Sequence, residues 1–172
     1  MALTLHDVTI GTYQQILASV SGFMDKGLAH CRENNIDPNE IVETRLYPDM
    51  LPFRFQILSV VHHSRGAIEA TKTGEFRPPS SDSQDYATLQ TMVAEARTAL
   101  NEVTAGDLNA RATNDITFKI GDRTIPFTAQ DFLLSFSLPN FQFHATTAYD
   151  ILRSKGVKLG KRDYLGQLRI KR

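Results

Sequence analysis

The 172-residue sequence has a single cysteine, no excess of either charge and no long apolar run. Each shortage excludes something. With Cys31 alone no intrachain disulfide can form, and a reducing, cytoplasmic compartment is the simplest expectation. Lys plus Arg number 19, as do Asp plus Glu. A balanced chain lacks the basic excess with which broad nucleic-acid binders release counterions, so no nucleic-acid partner is expected. No stretch of about 18 uncharged apolar residues occurs, so no membrane span is expected either. Residues 1–10 lack the basic start and apolar run of a signal peptide.

The composition present is the balance of an ordinary globular domain, with 41% hydrophobic and 22% charged residues. The length fits one domain over residues 1–172. A chain of this size buries roughly 70% of its unfolded surface, so it needs neither disulfide nor metal merely to fold. Cys31 lies beside His30 and Arg32 in a helical pattern, where a packed, inert thiol is preferred to a nucleophile.

Helix signals dominate. Thr4 and Asp7 have capping-box spacing, and Leu5, Val8, Tyr13, Ile16, Leu17, Val20, Phe23, Met24 and Leu28 recur at helical intervals. Asn34 and Asn35 mark the stop. Asp37, Pro38 and Glu40 open a short second helix. Pro52 opens the next long one, which runs to about Lys72 and ends at Gly74. Residues 77–83 read as a loop, and 85–103 as a further long helix ended by Ala105-Gly106-Asp107.

Alternating residues at 116–120 and 123–127 flank Gly121-Asp122, the pattern of a small β-hairpin that must lie against the helices. Thr128 and Asp131 cap a last long helix running to Lys155 and stopping at Gly156, with a kink expected at Pro139. Four long amphipathic helices make a four-helix bundle. Beyond them, 153–172 carries eight basic residues and one acid. The simpler reading of this tail, 157–172 above all, is a solvated segment over an acidic face of its own bundle or of a partner subunit; the sharper one is an anion site.

On the last helix Leu133, Phe136, Asn140, His144, Thr147 and Ile151 share a stripe that is polar in its middle. Leu134, Leu138, Phe141, Ala145, Ala148 and Leu152 make a second, wholly apolar stripe. A helix apolar on two adjacent faces is largely buried, so Asn140 and His144 point together into the bundle. Two readings stand. In one the pair is satisfied internally and fixes register, which spacing favours. In the other it holds a metal with a facing histidine. On the second long helix Phe53, Ile57, Val60, Val61, Ser64, Ala67 and Ile68 mark the inward side. His63 lies at its edge and His62 almost opposite, so His63 is the preferred inward residue. His6 and His30 have no partner at ligand spacing.

The segment His144-Ala145-Thr146-Thr147-Ala148-Tyr149-Asp150-Ile151-Leu152-Arg153-Ser154-Lys155-Gly156 resembles the fourth helix of the DinB/YfiT-like metalloenzyme superfamily. Tyr47-Pro48-Asp49-Met50-Leu51-Pro52, Pro139-Asn140-Phe141-Gln142-Phe143-His144 and Gly160-Lys161-Arg162-Asp163-Tyr164-Leu165-Gly166 resemble one branch of it, a domain-of-unknown-function family. The resemblance spans nearly the whole chain. It implies an all-α, up-down-down-up four-helix bundle with a small β-hairpin before the fourth helix. It also implies a divalent-metal site, for zinc or nickel, at His63, Asn140 and His144, with Asn140 where the superfamily has histidine. The activity implied is of thiol-transferase or hydrolase type. The alternative is a non-catalytic small-molecule-binding or structural homodimer whose metal site is degenerate.

Overall fold

A computed structural model describes residues 2–80 and 82–171. Ser81, within the expected loop, and Arg172, the last basic residue of the tail, lie outside the described residues, as does Met1. The chain is mostly helical with one small sheet. Helix α1 covers Leu5–Asn34, α2 Pro38–Val42 and α3 Phe53–Val61. A π-helical stretch, His62–Gly66, leads from α3 into α4 (Ala67–Thr73). Then come strand β1 (Glu75–Phe76), α5 (Tyr86–Asn101), α6 (Ala105–Ala110), β2 (Asp115–Ile120) and β3 (Arg123–Thr128). Helix α7 (Ala129–Asp131), a second π stretch (Phe132–Ser137), α8 (Leu138–Ser154) and α9 (Lys161–Leu165) complete the chain.

The ends of these helices follow local chemistry. Thr4 and Asp7 form the reciprocal capping box of α1, and Asn35 closes it in the left-handed region at φ 56°. Asp37, Asp85, Thr104 and Thr128 each accept a hydrogen bond from a backbone amide two or three residues on. Gly74, at φ 76°, stops α4. Around Ala105 the sequence marks only a helix end; Thr104 starts the short α6 there instead.

The hairpin of β2 and β3 pairs Ile116 with Phe127 and Phe118 with Ile125. A third strand is not expected from the sequence. β1 pairs in parallel with β2, Phe76 opposite Phe118. Two residues carry no alternation to read, and their pairing is set by where α4 delivers the chain. Ile116, Phe118 and Phe76 are buried, so the sheet does lie against the helices.

The main correction concerns helix phase. Constant helical pitch puts Leu134 on a buried apolar stripe, yet it is 39% exposed. A π turn inserts one extra residue, which rotates the residues before it by about 100° relative to those after it. A face read at constant pitch through the second π stretch is therefore wrong for Leu134, while Leu133 is buried as expected. Pro139 lies just after this stretch and has no amide hydrogen to give the preceding turn, so the expected irregularity takes the form of wide turns. Asn140 Nδ2 donates to the Phe136 carbonyl at 2.7 Å, and Ser135 Oγ to that of Asp131 at 2.5 Å.

The basic tail folds back over α1. Asp163 pairs with Lys26 at 2.6 Å, Gln15 Nε2 donates to the Leu165 carbonyl at 2.8 Å, and Arg169 lies against Gly11 with Asp7 within its field. Among the described residues no helix is long and apolar enough to cross a membrane.

Candidate functional site

The site lies where α3 and its π stretch meet α8. Gln56, Val60 and His63 succeed one another at four- and three-residue spacing, so they share a face. All three are buried. His144 faces them from α8, half-buried. The imidazoles of His63 and His144 lie 5.9 Å apart, centre to centre, and nearly parallel at 14°. Of the two adjacent histidines, His63 is the one turned inward. His62 sits on the outer side, its ring against Phe76 at 4.2 Å.

The protonation of His144 can be read from its neighbours. Gln56 Nε2 donates to the Leu51 carbonyl at 2.7 Å, so its oxygen is the atom that faces His144. That oxygen lies 2.8 Å from His144 Nδ1 and can only accept. Nδ1 therefore carries the hydrogen and Nε2 the lone pair. This is the outer-shell arrangement that orients metal-bound histidines. Burial pushes the His144 imidazole down to about 4, so it is neutral near pH 7.

His63 is held differently. Its Nδ1 is buried with no hydrogen-bond partner. Its ring is enclosed by Phe76 at 5.3 Å, Phe136 at 5.5 Å and His62 at 5.8 Å. Desolvation, with the neighbouring His62 and His144, pushes it down to about 3. An unpartnered buried ring nitrogen is costly unless something binds it. On the far side of the His62 and Phe76 rings lies a groove of about 950 Å³ with Leu58, Val61, Arg65 and Met92 in its walls. His62 Nε2 donates to the Arg77 carbonyl at its edge, at 2.5 Å.

Asn140, the middle residue of the expected triad, is half-buried on the same helix one turn before His144. Its amide nitrogen is committed to the Phe136 carbonyl, which leaves Oδ1 as its free donor. Two imidazoles on one ion at the usual bond length have centres about 5–6 Å apart. The His63–His144 spacing of 5.9 Å falls in this range, and rings so nearly parallel share an in-plane point only where they lie almost coplanar. Among the described residues no group of three or more His, Cys, Asp or Glu side chains could hold a metal ion.

Sequence reading missed Gln56, although its place one turn below Val60 and two below His63 on an inward face was a usable signal. It also missed Phe76, whose role depends on the unforeseen strand. Cys31 is buried far along α1, its thiol pushed up by burial and by Glu40 and Asp37, so it has no part in the site.

Comparison with known proteins agrees with this architecture. A crystal structure of a DinB family member protein from Shewanella denitrificans superposes with a TM-score of 0.81 at 26% identity, covering 98% of this chain and 95% of that one. No curated protein matches the sequence. The model of the family described as domain of unknown function DUF1993 matches residues 5–165. The chain thus belongs to the DUF1993 family and has a DinB-like fold.

Proposed function

We propose that residues 1–172 form one DinB-like four-helix-bundle domain, up-down-down-up in topology, whose functional centre is the internal His63, Asn140 and His144 cluster. These residues would hold a divalent ion, zinc or nickel, through two imidazoles and an amide oxygen. The reaction class is thiol transfer or hydrolysis. When bound, such an ion lowers the pKa of a coordinated water or thiol. The observation that carries this reading is the fixed tautomer of His144, which leaves its Nε2 with the lone pair on a ring centred 5.9 Å from that of His63, whose buried Nδ1 has no partner.

The chain's own residues account for the rest. Leu51 and Gln56 orient His144. Phe76 and Phe136 keep the His63 side dry. With both imidazoles neutral near pH 7, no proton need be displaced before a metal binds. With only two imidazoles the affinity should fall below that of a three-histidine site, because an amide oxygen is a poorer ligand for zinc or nickel.

The test is metal titration of the purified chain by calorimetry, with elemental analysis. One equivalent of zinc or nickel is expected, lost in His63→Ala and in His144→Ala. No binding to the native sequence would end the catalytic reading.

A second reading has its own observation. Leu46, Tyr47, Leu51 and Phe143 are all at least 40% exposed, and Phe143 adjoins His144 at 5.2 Å. Exposed apolar groups, one of them next to His144, suit a second copy of the chain or a small apolar ligand. In this reading the protein is a homodimer that binds a small molecule in a degenerate metal site. Sedimentation of the native chain and of Phe143→Ser decides the dimer, and ligand protection against thermal unfolding decides the rest.

A further inference from the structure

We infer that Ser137 and Tyr13 are positioning residues for His63, acting through its backbone carbonyl; the inference rests on the proposed His63 and His144 centre. In an α-helix the amide of Ala67 would serve the carbonyl of His63. Here it reaches one residue further, to His62, because the turn is π-helical. The Ser137 hydroxyl fills the gap, 2.7 Å from the His63 carbonyl oxygen. A carbonyl only accepts, so Ser137 donates. The Ser137 oxygen then accepts the hydrogen of the Tyr13 hydroxyl, at 3.2 Å. Every proton in this relay has one allowed direction.

Three separate elements meet here. Ser137 is the last residue of the second π stretch, His63 lies in the first, and Tyr13 is in the first half of α1. Ser137 and Tyr13 are both fully buried, and the Tyr13 ring is braced edge-on against Phe141 of α8 at 4.9 Å. No water need enter to satisfy the wide turn. The backbone that carries the His63 ring is thereby tied to the helix that carries His144. Setting the distance between two imidazoles borne by different helices is what such a tie does.

The test uses the full chain labelled with ¹⁵N, comparing the native sequence with Ser137→Ala, Tyr13→Phe and Ile41→Ala. Ile41 is a buried residue of α2, beside the far end of α1, and controls for lost stability. Histidine ring nitrogens are recorded without metal, and cobalt(II) is then titrated. Ser137→Ala should split or displace the His63 ring signals, while His144 keeps its protonated Nδ1 pattern. Cobalt affinity should fall about 10- to 100-fold, as when an outer-shell partner is removed. Tyr13→Phe should do the same to a smaller degree, and carries the test if Ser137→Ala does not fold. Ile41→Ala should leave both rings unchanged. If the native chain takes no cobalt but the His63 signals move, the metal reading fails and the positioning role stands. His63 signals in Ser137→Ala and Tyr13→Phe identical to the native ones overturn the inference.

Discussion

Gln56 Oε1 lies 2.8 Å from His144 Nδ1, and the same amide is pinned at its other end by the Leu51 carbonyl at 2.7 Å. A glutamine in an otherwise apolar stretch of α3 thus decides which nitrogen of a histidine on α8 carries the proton. Gln56→Leu keeps the volume and removes both bonds. It strands a ring N–H and a carbonyl, each at a cost of about 1–3 kcal/mol. The expected result is a destabilisation of about 2–6 kcal/mol in urea unfolding. Ring-nitrogen spectra should also show His144 distributed between tautomers. Stability within about 0.5 kcal/mol of native would show that the bond contributes little.

Acid stability depends on the two buried rings. His63 and His144 are pushed down to about 3 and about 4, whereas an unfolded histidine titrates near 6.5. The unfolded chain therefore binds protons first as pH falls. The contribution of neutral burial is full above about pH 6.5 and is lost progressively from there toward pH 4. Each ring changes stability by about 1.4 kcal/mol per pH unit in that window. Against a domain stability of about 5–15 kcal/mol, the pair is enough to start acid unfolding between pH 6 and pH 4. The carboxylates held low by hydrogen bonds, Asp7, Glu75, Asp85 and Asp163, act in a lower window. Circular dichroism against pH in fixed urea checks this. The double variant His63→Leu, His144→Leu should make the curve much shallower between pH 6 and pH 4, with the remaining slope from His62, which burial also pushes down, and leave the lower limb in place.

How much of the molecule is legible in its sequence differs by kind of signal. Caps and stops are local chemistry, and Thr4, Asp37, Asp85, Thr128, Asn35 and Gly74 stand where their side chains or backbone freedom put them. The choice of His63 over His62 needs only helical pitch, because α3 is regular up to Val61. The two π stretches are not legible. Nothing in Phe132-Leu133-Leu134-Ser135-Phe136-Ser137 requires a wide turn by itself, since the turn depends on Pro139 ahead and on a distant carbonyl at His63. The misplacement of Leu134 is the direct result. Gln56 and Ser137 escape notice for a related reason: their partners are far away in the chain, and only folding shows which polar group each must satisfy.

Gly27 permits a close approach that a side chain would block. A Cβ there would stand 2.5 Å from the Tyr86 hydroxyl and 3.1 Å from Leu152 Cδ2. That hydroxyl donates to the Met24 carbonyl at 2.8 Å, and the Tyr86 ring stacks on Phe53 at 5.8 Å, at the start of α3. Gly27→Ala gains about 1 kcal/mol of helix propensity. Against this, overpacking and the displaced buried bond cost about 1–3 kcal/mol each. A net loss of about 1–5 kcal/mol is expected by thermal or urea unfolding. A variant more stable than native would mean that α1 and α5 can move apart without penalty.

Asn140→His asks the metal question from the other side. Positions 140 and 144 are one turn apart on α8, so their side chains point the same way. The substitution replaces an amide oxygen with an imidazole, a better donor for zinc or nickel. It gives up the bond to the Phe136 carbonyl, at about 1 kcal/mol of stability. If His63 and His144 already face a common point, a third imidazole should raise zinc affinity at least about tenfold, which needs only about 1.4 kcal/mol of added binding. Competition with a chromophoric chelator measures this, with Asn140→Ala as the reference that has no donor at the position. An unchanged affinity in Asn140→His would mean that position 140 does not reach the point the two rings share. The two neutral imidazoles and the phenylalanines around His63 would then be a packed interior rather than a metal centre.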